Sequence, residues 1–387
     1  MKDAHFLIVG AGIGGLTAAA ALQRAGVRVT VFEQAPELKE IGAGVIITPQ
    51  AMHAFDYLGI AERVAAEAGP PDRYHARHYA TGEVMLQGPT AAELRARYGA
   101  GFHQCHRADL HAALADAAAA GGDYTLHLGH RFVGATQEGG RVIATFANGM
   151  RYEGDALIGC DGNASMVRTS TFGSEPVKYT EQVAYRALLD FSDVPEALLD
   201  APYSYFVGPR RMLLFYPLRN RKLMNVIGIA HEPDWQEEGW IIPATQSEFV
   251  QLYQDFHPAV LALLGALPQG AIFKWALRDR EPLSEWVQGH IAMLGDAAHP
   301  MTPFLGQGAC LAIEDGIVLA RAVAQASTVA EAFATYEGAR KLRATTVQLA
   351  SRDRGRDLQG RKTGAAGPGQ NAEGMGLFAY DPTTVPL

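Results

Sequence analysis

The chain is poor in cysteine. Its 387 residues include three, Cys105, Cys160 and Cys310, far apart and with no Cys-x-x-Cys pair. That excludes a disulfide scaffold and a cysteine zinc cage, gives no reason to expect a metal, and suits a reducing cytoplasm. Long apolar runs are also missing. No stretch reaches the ~18–20 apolar residues of a membrane span, and Phe6-Leu-Ile-Val9 is too short for a signal-peptide core. Basic charge is in short supply: 33 Lys and Arg against 41 Asp and Glu leave a net −8, without the clustered cations that nucleic acid requires. Charged residues make up 19% and apolar residues 48%, which excludes disorder and implies a large buried core. The length exceeds most single compact domains, so two lobes are expected. Asn163-Ala-Ser165 matches a glycosylation acceptor by accident in a cytoplasmic chain. No internal repeat is visible.

What is present begins with a strand, a turn, a helix and a second strand. Phe6–Val9 reads as a strand buried on both faces. Gly10-x-Gly12-x-x-Gly15, with Gly14 inside it, leads into a helix over Leu16–Ala25 that Gly26 stops. Val27–Phe32 is the second strand, ending at Glu33 and Gln34. In that setting the first glycine permits the tight turn, the second lets backbone approach a pyrophosphate, and the third packs helix on strand. The helix N-terminus adds positive dipole and free N–H groups. A carboxylate at Glu33 can bind ribose hydroxyls, and an acid there favours an unphosphorylated ribose, FAD or NAD rather than NADP.

Farther along, helices are expected over residues 50–68, 106–119, 307–324 and 330–350. Strand-like pieces cover 74–88, 124–132, 141–146 and 156–159, and Asn148-Gly149 is a hairpin signal. Residues 180–280 read as an antiparallel sheet with one helix over 247–264. Residues 355–376 are Gly-rich and read as a loop.

Two further segments follow buried strands: Ile158-Gly-Cys-Asp161-Gly162 and Ile291-Ala-Met-Leu-Gly295-Asp296-Ala-Ala-His299-Pro300. A plain dehydrogenase needs neither. With them the sequence resembles the single-component flavin-dependent aromatic hydroxylases, the class A flavoprotein monooxygenases of p-hydroxybenzoate hydroxylase fold, over roughly residues 5–350. Within that family it is similar to salicylate, 3-hydroxybenzoate and 6-hydroxynicotinate monooxygenases. The segments that carry the likeness are Phe32-Glu-Gln-Ala-Pro36, Gly42-Ala-Gly44, His106-Arg107-Ala-Asp-Leu-His111, Phe215-Tyr-Pro-Leu-Arg219, Leu294–Pro300, Gly306-Gln-Gly-Ala309 and Ala312-Ile-Glu-Asp315.

The resemblance implies an α/β fold: a Rossmann-like FAD-binding domain, an inserted β-rich substrate lobe and C-terminal helices. The expected division is 1–75, 101–178 and 282–345 for the FAD-binding domain, 76–100 and 179–281 for the lobe, and 346–387 for a helix end and Gly-rich tail. It also implies the roles. FAD would be held by Gly10, Gly12, Gly14, Gly15, Glu33, Gln34, Gly44, Ile46, Arg107, Phe132, Asp161 and Asp296, with the Gly306, Gln307, Gly308 and Ala309 backbone near the flavin N1 and O2. Asp296 would take the ribityl chain, Arg107 the ribityl or phosphate region, and Phe132 the adenine through its backbone. Asp161 would support the pyrophosphate and the transient docking of NADH or NADPH. Helix-end N–H groups near N1 make independent sense, because reduced flavin is anionic there. Gly42, Gly44, Gly306 and Gly308 would leave room for a mobile flavin.

The implied reaction is hydroxylation of a small phenolic or hydroxypyridine ring, carboxylated or otherwise acidic, through a C4a-hydroperoxyflavin, with oxygen and NAD(P)H consumed by a monomer or homodimer. Candidate catalytic groups are Tyr216, Arg186 and Pro303. Candidate substrate contacts are Tyr216, Met212, Leu214, Phe304 and Arg211. His299 reads as a packed loop histidine rather than a base. Relatives carry His where Phe304 and Met212 stand, Gln where Pro303 stands, His near Ile46 and Arg where Gly42 stands, so the polar set of each named relative is incomplete here. Two other readings stay open: an FAD oxidoreductase without oxygen insertion, and a non-catalytic flavin-binding redox sensor.

Overall fold

The structure, a computed structural model, describes residues 1, 4–38, 44–69, 73–173, 176–237, 239, 241–360 and 371–387. The apolar run near the N-terminus forms the strand His5–Val9, inside a six-stranded sheet. Its parallel neighbours are Arg28–Phe32 and Ala156–Gly159. Tyr124–His127 and Ile291–Met293 extend the parallel set, and Val287–Gln288 closes one edge antiparallel. Phe6, Leu7, Ile8, Val29, Val31 and Phe32 have no exposed surface, as strands covered on both faces require. On one side Ile13–Arg24 packs between Arg107–Ala119 and Gly308–Gln325. A three-stranded antiparallel sheet, Phe132–Glu138, Arg141–Phe146 and Arg151–Gly154, packs against His5–Val9 and Ala156–Gly159.

This register positions the site. Val9 pairs with Gly159, and Gly159 with Met293, so three adjacent parallel strands end at one edge. The residues that follow them, Gly10, Cys160-Asp161 and Leu294–Asp296, are brought together there. Ligands of open α/β sheets bind outside such carboxyl ends.

A second sheet has eight strands, in the order Ile242–Pro243, Phe273–Asp279, Lys178–Asp190, Leu223–His231, Arg211–Leu218, Ser204–Gly208, His75–His78, Val84–Gln87. Alternation along each strand sends side chains to two faces. Tyr185, Phe206 and Phe215 pack under the helices Gln246–Leu252 and Pro258–Gly265, against Phe249, Tyr253 and Val260. Their sequence neighbours Ala184, Arg186, Tyr205, Leu214 and Tyr216 face a cavity on the other side.

Three expectations need correction. The single helix over 247–264 is two helices, because Pro258 opens the second one and His257, ahead of it, is extended (ψ 140°) and caps it. The helix expected over 50–68 is likewise split, into Pro49–Leu58 and Ala61–Ala68, by Gly59 at φ 77°. The Gly-rich stretch from 355 does not begin as a loop: the helix Val329–Gly360 runs through it. Gly355 is there for close packing, since a Cβ would stand 2.4 Å from the Phe304 ring. The segment from 346 begins inside this helix, as the expected helix end, and the helix runs ten residues past 350. Residues 361–370 and Gly42 lie outside the described residues.

The helix pair Gly308–Gln325 and Val329–Gly360 is tied by a buried ion network. Arg340, with no exposed surface, stands 2.7 Å from Glu314 and 2.8 Å from Asp315. His299 Nε2 lies 2.6 Å from Asp315, and Arg343 lies 2.8 Å from Glu314. Burial acts to raise the Asp315 carboxyl, but His299 and Arg340 hold it down to about 2. Arg340→Met removes the cation that two buried carboxylates share, leaving Asp315 to His299 and Glu314 to Arg343, and is expected to cost about 3 kcal/mol, read by urea unfolding; a loss under ~1 kcal/mol would show the network to be dispensable. Acid acts the same way. The Asp315 contribution is complete above the unfolded carboxyl value of ~4 and is lost as pH falls toward about 2.

Candidate active site

The Gly-rich turn divides its glycines by task. Gly10 has φ 105°, and a Cβ there would stand 2.4 Å from the Cys160 carbonyl oxygen. A Cβ on Gly15 would stand 2.0 Å from the Gly10 carbonyl oxygen, and one on Gly14 would stand 2.8 Å from Leu294. Around Gly12 there is nothing within 4 Å. Three positions are filled by the protein and one is left open toward a ligand. The helix Ile13–Arg24 has no side-chain cap, so its first N–H donors remain available. Gly12→Ala is therefore expected to leave the thermal midpoint of ligand-free protein within ~2 °C while weakening FAD binding at least tenfold. Gly15→Ala should lower both. Equal losses of stability in the two variants would contradict this division.

Glu33 secures the same turn. Its carboxylate accepts from the Ala11 N–H at 3.0 Å and the Ala35 N–H at 2.9 Å. His111 Nε2 lies 2.7 Å from the Ala11 carbonyl oxygen, buried beneath the turn. Gln34 beside Glu33 is exposed. Phe132 is buried edge-on against Phe146, at 6.1 Å between ring centres, so only its backbone can meet a ligand.

Asp296 sits in the short turn Gly295–Ala297 after the third strand. It is ringed by protein yet open to solvent through the cavity, and no hydrogen bond to it exists among the described residues. Burial pushes its carboxyl upward, against the pull of His299 and Arg107. Arg107 and the Gly306–Ala309 backbone share the cavity with it. Gly306, at φ 63°, ends the turn Pro303–Leu305 and leads to the N-terminus of Gly308–Gln325, which again lacks a side-chain cap. Gln307 turns inward, accepting from the Gln50 amide at 2.7 Å.

The cavity encloses about 430 Å³. Beyond Asp296 and Gly306–Ala309 it is lined by Tyr216, Arg186, Met212, Leu214 and the Pro303-Phe304 turn. Gly44 and Ile46 form its near wall, on the strand Gly44–Ile47. Gly44 makes room for Tyr216: a Cβ there would stand 2.5 Å from the phenol oxygen. Its N–H donates to Asn225 Oδ1 at 3.3 Å. Burial pushes the Tyr216 phenol up to about 12, against the pull of Arg186. Arg186 lies over the Trp275 ring, 5.4 Å from its centre. Its Nε has no partner, and no carboxylate pairs with it among the described residues. Burial lowers its pKa.

Some candidates fall elsewhere. Arg211 is on the opposite sheet face from Met212, Leu214 and Tyr216, as alternation along one strand dictates. It bonds the Leu252 carbonyl and Asp255 at 2.8 Å and lies over Phe256, so it is withdrawn as a substrate contact. Both oxygens of Asp161 are occupied, accepting from Ser165 Oγ and from the Met166 and Val167 N–H groups at 2.7 and 3.0 Å. Ser165 is the N-cap of the helix Met166–Phe172, and Asp161 braces its first turn, with its own backbone against Gly10 of the Gly-rich turn. His299 is buried on Asp315 and stacked 5.1 Å from Trp286.

Residues that sequence reading missed also line the cavity: Tyr74, Phe102, Tyr203, Tyr205, Trp275 and, from the chain's end, Phe378. Period-two alternation could have found Tyr205 and Trp275. Nothing local marks Phe378.

An FAD binding domain family matches residues 3–351. The 3-hydroxybenzoate 6-hydroxylase of Polaromonas naphthalenivorans (strain CJ2) is 38% identical over 92% of this chain and 88% of its own length. The chain belongs to the FAD-dependent aromatic hydroxylases. The 6-hydroxynicotinate 3-monooxygenase of Pseudomonas fluorescens is 34% identical over 91% of each chain. Among solved structures, Klebsiella pneumoniae HpxO complexed with FAD and uric acid superposes with a TM-score of 0.82 at 27% identity, covering 92% of this chain and 89% of that one. This hydroxylase is therefore an FAD-dependent monooxygenase with NAD(P)H as co-substrate. Its open Gly12, uncapped helix ends and unbonded Asp296 are a donor and acceptor set of the kind such a cofactor requires. No described helix is long and apolar enough to cross a membrane.

Proposed function

We propose that this hydroxylase inserts one oxygen atom into the ring of a small aromatic acid, a hydroxybenzoate or a hydroxypyridine carboxylate. The overall balance is one O₂ and one NAD(P)H consumed per hydroxyl group formed, with the second oxygen atom leaving as water. The observation that carries the reading is Arg186, a guanidinium inside the cavity without a carboxylate partner, beside Tyr216 and across from the Gly306–Ala309 turn. A half-buried cation of this kind, facing a cavity, is costly unless a ligand supplies the anion.

FAD supplies the electron transfer and oxygen activation when bound. Gly12, the uncapped end of Ile13–Arg24 and Glu33 would hold its adenine half. Asp296, Arg107 and the Gly306–Ala309 backbone would hold the flavin half. The chain's own contribution is position, charge and dryness. Arg186 draws in the substrate anion and fixes the ring. Tyr216, with its phenol up at about 12, stays protonated at neutral pH and donates a hydrogen bond to the substrate hydroxyl, favouring the electron-rich phenolate. It is a donor and not a base. Met212, Leu214 and Phe304 keep water from the reacting face.

The test is a screen of hydroxybenzoates and hydroxypyridine carboxylates for stimulated NADH and NADPH consumption, with oxygen uptake and product masses. A product heavier by one oxygen atom is expected. Stimulated consumption with every equivalent of oxygen released as hydrogen peroxide and no such product would overturn the reading. Tyr216→Phe should lower hydroxylation about tenfold or more, the loss of a hydrogen bond to a charged group at ~1.5–3 kcal/mol, and raise the peroxide share. Unchanged coupling would remove Tyr216 from the reaction. The enzyme is proposed to work in the cytoplasm as a monomer or homodimer, a point that sizing by light scattering settles; the three cysteines are free thiols, in keeping with a reducing compartment.

A further inference from the structure

We propose that the substrate carries an apolar ring substituent, received by a distal subsite that the C-terminal turn Asn371–Phe378 closes; this rests on the proposed function. The cavity does not end at Tyr216. Its aromatic wall continues from Tyr216 to Tyr203, to Phe102 and to Phe378, in ring-to-ring steps of 5.7, 6.2 and 6.3 Å. Each step matches the span of one ring, so the wall outruns a single-ring acid seated at Arg186 and Tyr216.

The far end has a different chemistry from the near one. Leu94, Phe102, Leu358, Ala372 and Phe378 line it. Most of the polar groups there are already paired. Glu373 accepts from Arg97 at 2.8 Å and from the Tyr98 hydroxyl at 3.2 Å, and Asn371 donates to the Tyr74 hydroxyl at 3.4 Å; Arg354 is engaged as well, though its Nη1 makes no hydrogen bond among the described residues. The near end holds Arg186, which no carboxylate pairs with among the described residues, and the far end is mostly hydrocarbon with Glu373 held by Arg97 and Tyr98, so the cavity fits a ligand with an anionic ring at one end and an apolar group at the other.

The closing turn is a fixed wall. Behind it, Arg343 donates to the Leu377 carbonyl at 3.2 Å and lies 3.9 Å from the Tyr380 ring centre. Arg321 donates to the Pro382 and Val385 carbonyls at 2.9 and 2.8 Å. Leu377 and Phe378 are buried. In front, the Arg97–Glu373 pair fastens the turn to the helix Ala91–Tyr98.

The test titrates the FAD-loaded enzyme, without NAD(P)H, against a hydroxybenzoate series carrying hydrogen, methyl, ethyl, propyl and butyl groups, with binding read from the flavin absorbance. Affinity should rise about fourfold per buried methylene until the subsite is full. Phe378→Trp should collapse the ratio between the propyl and unsubstituted acids; Leu94→Phe, a smaller intrusion from a different element, should do the same should the first variant fold poorly. A flat series with tight binding of the unsubstituted acid, or a ratio that survives both substitutions, would overturn the subsite and leave the proposed function standing. An enzyme that holds FAD and binds no acid of the series would overturn both.

Discussion

Asp296→Ala should fold and yet purify almost without flavin. The carboxylate lies at the end of Ile291–Met293 with no hydrogen bond from the protein among the described residues, and burial already pushes its pKa upward. In ligand-free protein it faces the open cavity and makes no hydrogen bond among the described residues, so its removal should leave the thermal midpoint unchanged or slightly higher. With FAD present it would accept two ribityl hydroxyls. Each such bond to a charged acceptor contributes about 1.5–3 kcal/mol, so the variant should lose on the order of a hundredfold or more in FAD affinity. The split between stability and affinity is the diagnostic result, because a helix-capping carboxylate would lose stability first. The same logic gives a pH dependence. As pH falls and the raised carboxyl takes up its proton, the acceptor is lost, so FAD should loosen above the ~3.9 of an ordinary aspartate. Full flavin content in Asp296→Ala would show that the ribityl chain is held elsewhere.

Arg186→Met should retain FAD and lose the aromatic acid. Methionine keeps the stem's volume over Trp275 and removes the charge. Removing one partner of a buried, hydrogen-bonded charge pair costs about 2–5 kcal/mol, so the dissociation constant for the acid should rise thirtyfold or more. Arg186→Lys should recover part of this, as a point charge without the planar fork. The apo protein should be stabilised, since a half-buried cation without a carboxylate partner is gone. Weakening of a neutral analogue lacking the acid group by the same factor would show that Arg186 shapes the pocket rather than binding an anion.

The cofactor half of the site was legible because each part is local. A buried strand followed at once by Gly10, by Asp161 or by Gly295-Asp296 can be read within a dozen residues, and parallel pairing then brings the three together. The failures were of two kinds. Arg211 is one residue out of phase with Met212, Leu214 and Tyr216, and simple alternation would have sent it to the helix-covered face. Gly355 reads in the sequence as the start of a loop, whereas only the distant Phe304 ring explains why a glycine stands inside that helix. The distal wall was beyond reach for the same reason: Phe378 meets Phe102 and Tyr98 across most of the chain, and no periodicity encodes that contact. Gly44 illustrates a right residue with a different physical cause, since its missing Cβ is where the Tyr216 phenol lies.

The central claim is that the three strand ends form one FAD site, and equilibrium titration of flavin-stripped protein with FAD tests it most directly. The expected result is saturable uptake of one FAD per chain with the yellow flavin spectrum, abolished in Asp296→Ala and weakened in Gly12→Ala. Folded wild-type protein that stayed colourless at saturating FAD would contradict the account.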